Sequence, residues 1–215
     1  TGNTGRRIAR RQVLKEQVQG EAKHARPDMG AVQLSIVVPA YNEAAAIGKT
    51  LLQLRDYLEA HRGPRSWEVI VVDDGSSDDT SQAAARAVTG DNRFRFIRHE
   101  TNRGKGCAVG TGVLASRGQY VGFMDADLST DLAAVAGALS HLEQGADIVI
   151  ASRRAPGAHI VVPQPWHRRL ASRLFRRAVA WLVGLRGVRD SQCGFKFFRS
   201  AIAQELFPLL TIEGF

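Results

Sequence analysis

Three short apolar runs, each closed by a polar loop and separated from the next by a helical pattern, constrain this chain more than any other feature. Leu34 to Val38 is β-rich and ends at Pro39. Glu68 to Val72 runs into Asp73-Asp74-Gly75-Ser76, and Tyr120 to Phe123 runs into Met124-Asp125-Ala126-Asp127. Between and beyond them lie segments with helical spacing. Ala44 to Ala60 carries Ile47, Leu51, Leu54 and Leu58 at intervals of three and four, which predicts a helix. Asp78 to Val88 is predicted helical, with Ser77 or Asp78 as N-cap. Arg93 to Arg98 alternates as a strand, and Lys105 to Ser116 is a helix rich in small residues. Asp131 to Leu142, capped by Thr130, is a further helix, and Asp147 to Ala151 a further strand. Strands alternating with helices predict an α/β fold with a mostly parallel sheet flanked by helices. Ligands on such sheets sit beyond the carboxyl ends of the strands, where the polar loops fall.

Those loops carry suggestive chemistry. Asp125 and Asp127, two residues apart at a strand end, suit a hard divalent cation, Mg²⁺ or Mn²⁺, shared with a diphosphate. Asp73-Asp74-Gly75-Ser76 reads either as a second ligand loop or as plain turn chemistry. Asn102-Arg103-Gly104-Lys105-Gly106 opens a helix with glycines and cations, which suits a phosphate, although the Walker spacing is absent.

The 215 residues suffice for one domain with a sizeable core. Net charge is +8, and the positive residues cluster. Residues 1–30 hold seven Lys/Arg against three Asp/Glu and form a basic N-terminal arm, leaving 31–215 as the main domain. From Arg153 to Arg189 there are nine arginines and no acidic residue. Within this basic region, residues 155–189, a Pro- and Gly-bearing loop leads into Trp166 to Leu185, an amphipathic helix that either lies on an anionic membrane surface or packs on the sheet. No apolar run approaches the roughly 18 residues of a membrane span. Two cysteines, Cys107 and Cys193, make no disulfide framework and suggest a reducing compartment. Nucleic-acid binding, suggested by charge alone, sits poorly with acidic loops and few aromatic residues. The start at Thr1 rather than Met indicates processing or truncation.

The same motifs, Val37-Val38-Pro39-Ala40-Tyr41-Asn42-Glu43, Val71 to Asp78, Asn102 to Gly106 and Asp125-Ala126-Asp127, resemble family 2 glycosyltransferases of the GT-A fold over roughly residues 34 to 155. Asp190-Ser191-Gln192-Cys193-Gly194-Phe195-Lys196 resembles the subgroup that transfers a sugar to a polyprenyl phosphate, and its Gln-Cys-Gly-Phe-Lys form is most similar to dolichyl-phosphate β-glucosyltransferases. The resemblance implies a Rossmann-like GT-A sheet and a donor nucleotide site at Pro39, Tyr41, Glu43, Asp73, Asp74, Lys105 and Asp125. It implies a metal held by Asp127 and Asp125, with Ser129 where some relatives place a third ligand. Arg153, Arg168, Arg169, Gln192 and Lys196 would hold the acceptor phosphate, with Arg154 and Arg173 as second choices. Asp127, Arg153 and Arg169 would be the catalytic set. The implied reaction is inverting transfer, with UDP-glucose as donor and a polyprenyl or dolichyl phosphate as acceptor, at the cytoplasmic face of a membrane met peripherally. GDP-mannose, another UDP-sugar or a glycan acceptor are the alternatives. Relatives continue past Phe215, which implies that the domain's C-terminal end is incomplete. Oligomeric state is left open.

Overall fold

A computed structural model describes residues 32–60, 66–127, 131–151 and 193–209. Strand β1 (Leu34–Ala40) lies between β2 (Trp67–Asp73) and β4 (Tyr120–Phe123), parallel to both. All three are buried along their whole length. Strands covered on both faces have no polar side to show, which is why these segments read as apolar runs rather than alternations. Strand β3 (Phe94–Arg98) pairs parallel with β2 and is buried only at Phe94, open along the rest as an edge strand is. With β5 (Ile148–Ile150) and β6 (Lys196–Arg199) the sheet has six strands in the order β3-β2-β1-β4-β6-β5. Only β6 is antiparallel to its neighbour β4 in the registered pairings.

Helices α1 (Ile47–Ala60) and α2 (Thr80–Ala87) pack on each other. Helix α3 (Lys105–Ala115) packs on β1 and β2 and against α5 (Ser200–Leu206), while α4 (Ala133–Glu143) contacts β6. The β1-α1-β2 and β2-α2-β3 connections step one way across the sheet and β3-α3-β4 steps back, so the right-handed rule for such crossovers assigns α1 and α2 to one face and α3 to the other. The core beneath α3 joins Val37, Val72, Val109, Val113, Phe123, Phe198 and Phe207. At the amino-terminal edge of the sheet the buried Glu68 carboxylate accepts hydrogen bonds from Ser35 Oγ (2.7 Å) and the Arg117 amide (2.7 Å), and pairs with Arg95 (3.1 Å). That carboxylate is fully engaged in closing the edge opposite the polar loops.

The predicted α/β alternation is present, with differences at the boundaries. Strand β1 continues through Pro39 to Ala40. Val37 turns its carbonyl toward Met124 of the β4 side (3.0 Å), so by alternation position 39 turns its nitrogen the same way, past the end of β4, where no acceptor is lost. Helix α1 starts at Ile47 rather than Ala44, because residues 44–46 form a turn in which Ala46 and Ile47 donate to the Glu43 carbonyl. Helix α2 starts at Thr80, and Asp78 receives the Thr80 amide from outside the helix (3.0 Å). Strand β6 and helix α5 carry no separate sequence expectation. A four-residue strand fed straight into a seven-residue helix is too short to show a period.

The chain divides into two units, Thr1–Val149 with Gly194–Phe215, and Ile150–Cys193. Apart from the last residue of β5, every element named above belongs to the first. The basic arm 1–30, Thr130 and the 155–189 region lie outside the described residues. No helix among the described residues is long and apolar enough to cross a membrane.

Candidate active site

The four parallel strands β1 to β4 end at one edge of the sheet, and the antiparallel β6 begins there. The chain order reverses between β1 and β4, which opens a crevice at their carboxyl ends. Pro39 and Tyr41 stand on its β1 side, and Met124 to Asp127 on its β4 side. Tyr41 is about half exposed at 47%.

Side-chain to backbone hydrogen bonds tie the loop after β1 to the loop after β2. The Asn42 amide donates to Ser76 Oγ (3.0 Å) and the Ser77 amide to Asn42 Oδ1 (2.9 Å). The Glu43 amide donates to Thr80 Oγ1 (2.8 Å) and the Ala44 amide to Asp78 Oδ2 (3.2 Å). Asn42 takes a left-handed φ of 55°, which its short amide tolerates better than most residues. Tyr41 and Glu43 therefore flank a loop whose backbone is pinned on both sides.

Asp73 and Asp74 are buried, and the protein itself occupies their oxygens. Asp73 Oδ1 accepts the Ser76 amide (2.8 Å), and Oδ2 accepts the Ser81 hydroxyl with Arg98 at 3.6 Å. Burial pushes the Asp73 carboxyl up, but the bonds from Ser76 and Ser81 and the Arg98 charge outweigh it and hold the group below the ordinary carboxylate value. Asp74 Oδ1 accepts from His99 Nδ1 (2.7 Å) and the Arg103 amide (3.0 Å), while Oδ2 accepts the Gly104 amide (2.7 Å). Asp73 closes its own turn through Ser76, and Asp74 holds the 101–104 loop in place. Gly75 lets the two loops meet. Its φ is +73°, and a Cβ there would lie 2.5 Å from the Thr101 carbonyl carbon.

His99 carries no sequence expectation, for want of metal-ligand spacing. It is buried, with Nδ1 on Asp74 and Nε2 3.0 Å from Thr111 Oγ1 of α3. Both partners are distant in sequence, which leaves no local signal for its role.

On the β4 side, three elements hold the Asp125-Ala126-Asp127 loop. Thr50 of α1 donates its hydroxyl to the Ala126 carbonyl. Lys105, the first residue of α3, pairs its ammonium with Asp125 Oδ1. Gly194 lies against the same carboxylate. Asp125 is partly buried and Asp127 exposed. Lys196 opens β6 opposite Phe123, with Nζ 5.3 Å from that ring's centroid. The structure thus gathers Pro39, Tyr41, Glu43, Lys105, Asp125, Asp127 and Lys196 at one edge of the sheet. Ser129, Arg153, Arg168, Arg169 and Gln192 lie outside the described residues.

Two carboxylates on one loop offer hard oxygen donors, and among the described residues no group of three or more His, Cys, Asp or Glu could hold a metal. Mg²⁺ and Mn²⁺ suit that donor set, because such ions are commonly held by one or two carboxylates completed by phosphate oxygens and water.

Residues 35–207 match the profile described as glycosyl transferase family 2. The chain is 34% identical over 200 residues to the dolichyl-phosphate beta-glucosyltransferase of Saccharomyces cerevisiae, covering 84% of this chain and 59% of that one. It is 35% identical over 197 residues to the dolichyl-phosphate beta-glucosyltransferase of Homo sapiens, covering 86% and 60%. The chain thus spans about 60% of the length of these curated relatives. Among solved structures it is similar to glucosyl-3-phosphoglycerate synthase from Mycobacterium tuberculosis, crystallised with Mn²⁺, UDP and glucosyl-3-phosphoglycerate. That match has a TM-score of 0.57 at 22% identity and covers 83% of this chain and 63% of that one. At that identity the likeness speaks to the fold.

Proposed function

The chain belongs to glycosyl transferase family 2, and from that membership we propose that it transfers glucose from UDP-glucose to a polyprenyl phosphate, with inversion and with a divalent cation. The observation that carries this reading is the carboxylate pair Asp125 and Asp127 at the β1/β4 crevice, flanked by Lys105 and by the start of β6. The glucosyl and dolichyl-phosphate parts draw support from the two curated relatives.

In this reading Pro39, Tyr41 and Glu43 line the nucleoside pocket. Asp73 and Asp74 would accept hydrogen bonds from the base or ribose, on loops that they also hold in place. Asp125 and Asp127 hold the cation, which when bound neutralises charge growing on the diphosphate leaving group. Lys105 adds a second positive charge beside the diphosphate. A phosphate-monoester acceptor is largely ionised near neutral pH, its second pKa being about 6, so it needs no general base. One of its oxygens forms the new bond to the anomeric carbon as the bond to UDP breaks, and UDP leaves with the electron pair. A UDP-α-sugar then gives a β-linked product.

Two anions must meet in this step, so the acceptor requires cations of its own. Arg153, Arg168 and Arg169, together with Gln192 and Lys196, are the groups proposed to hold and aim its phosphate. The polyprenyl tail brings the reaction to a membrane surface, proposed to be the cytoplasmic face, where the Trp166 to Leu185 stretch would lie. Arg153→Ala and Arg169→Ala are each expected to raise KM for a short-chain polyprenyl phosphate by about 10- to 100-fold, the worth of one charge-assisted hydrogen bond. KM for UDP-glucose should move by less than about twofold. Steady-state kinetics against each substrate check this, and unchanged acceptor KM in both variants would remove the arginines from the phosphate site.

A further inference from the structure

The antiparallel register that pairs Phe123 with Lys196 continues outward to place Asp125 opposite Gly194. A Cβ built on Gly194 would lie 2.1 Å from Asp125 Oδ2 and 2.6 Å from both Cγ and Oδ1. All three nearest atoms belong to that one carboxylate. Gly194 is not among the glycines with positive φ, so the backbone conformation does not call for glycine. The space does. On its other side the same carboxylate is paired with the Lys105 ammonium. Asp125 is thus clasped between a bare backbone and the Lys105 ammonium.

We propose that Gly194 is a positioning residue. By leaving out a side chain it lets the lead-in to β6 seat against Asp125 and aim that carboxylate at the cation shared with the donor diphosphate. This deepens the functional reading above and rests on it. A methyl group at 194 swings the carboxylate away from Lys105 and from the cation while leaving the nucleoside side of the crevice untouched.

The test uses the whole chain and Mn²⁺ with UDP as probes. In Gly194→Ala, calorimetric UDP affinity in the presence of Mn²⁺ should fall about tenfold, whereas UDP affinity in EDTA should change by less than about twofold. Adding Gly194→Ala to Asp125→Ala should then change neither the urea midpoint nor the residual UDP affinity, because the atoms in conflict are gone. That double variant also keeps the question open to measurement if Gly194→Ala alone does not fold. Equal losses with and without Mn²⁺, no loss at all, or a further loss in the Asp125→Ala background would overturn the proposal. If Gly194→Ala matches the parent while Asp127→Ala loses Mn²⁺-dependent UDP binding, the Gly194 inference fails alone. If neither variant alters that binding, the metal reading fails with it.

Discussion

Asp127→Ala is expected to lower sugar transfer by about a thousandfold or more while leaving the fold intact. Asp127 is exposed on the loop after β4, so truncating it opens no cavity in the core. Exposed substitutions of this kind usually change stability by no more than about 0.5 kcal/mol. For a domain of this size that is a shift in melting temperature of about 2 °C or less. The catalytic loss comes from a different source. A cation on a leaving diphosphate supplies several kcal/mol of charge stabilisation that is realised only as the bond breaks. With Asp127 gone, Asp125 alone remains on this loop, and its Oδ1 already faces Lys105. UDP affinity in Mn²⁺ should drop to the value found in EDTA. Near-normal turnover, or Mn²⁺-dependent UDP binding equal to the parent's, would remove Asp127 from the metal site.

Asp74→Ala should show the opposite balance. The Asp74 carboxylate is buried and receives three donors: His99 Nδ1 and the amides of Arg103 and Gly104. Its removal leaves His99 Nδ1 and the Arg103 amide without that acceptor, while the Gly104 amide keeps Asn102 Oδ1 (3.1 Å). Stranded donors cost about 1–3 kcal/mol each, less in sum because the loop relaxes, so a total of about 2–4 kcal/mol is expected. At about 2–4 °C per kcal/mol this lowers the melting temperature by about 10 °C. The 101–104 loop should loosen with it, and amide hydrogen exchange at Arg103 and Gly104 should speed up. Donor affinity falls as a consequence, because Lys105 at the head of α3 is carried on that loop. A melting temperature within about 2 °C of the parent would show that Asp74 does not organise the loops, and a loss of UDP binding in that case would assign it to direct contact.

The contrast between these two aspartates also measures how far the sequence could be read. The strand runs and the helical spacings foretold the parallel sheet, because strands buried on both faces and helices with one apolar stripe leave plain periodic marks. The carboxyl-edge placement of every polar loop followed from that topology. The direction in which a side chain turns left no such mark. Asp73-Asp74-Gly75-Ser76 admitted a ligand role and a turn role, and only the folded positions of Ser81, His99 and Gly104 show the carboxylates engaged inward. His99 looked idle because its partners, Asp74 and Thr111, are distant in sequence. Strand β6 escaped notice because four residues cannot carry a period, and its antiparallel pairing with β4 is set by tertiary contacts. Its consequence, Gly194 seated on Asp125, follows from that register.

The central claim is tested most directly by incubating the protein with a short-chain polyprenyl phosphate, Mn²⁺ and, in parallel, UDP-glucose, GDP-mannose, UDP-GlcNAc and UDP-glucuronate, then resolving the lipid products by mass spectrometry. The account predicts one product, the polyprenyl-phosphate hexose formed from UDP-glucose, which disappears with EDTA and in Asp127→Ala. A product from another donor, or one that persists undiminished in EDTA, would contradict it.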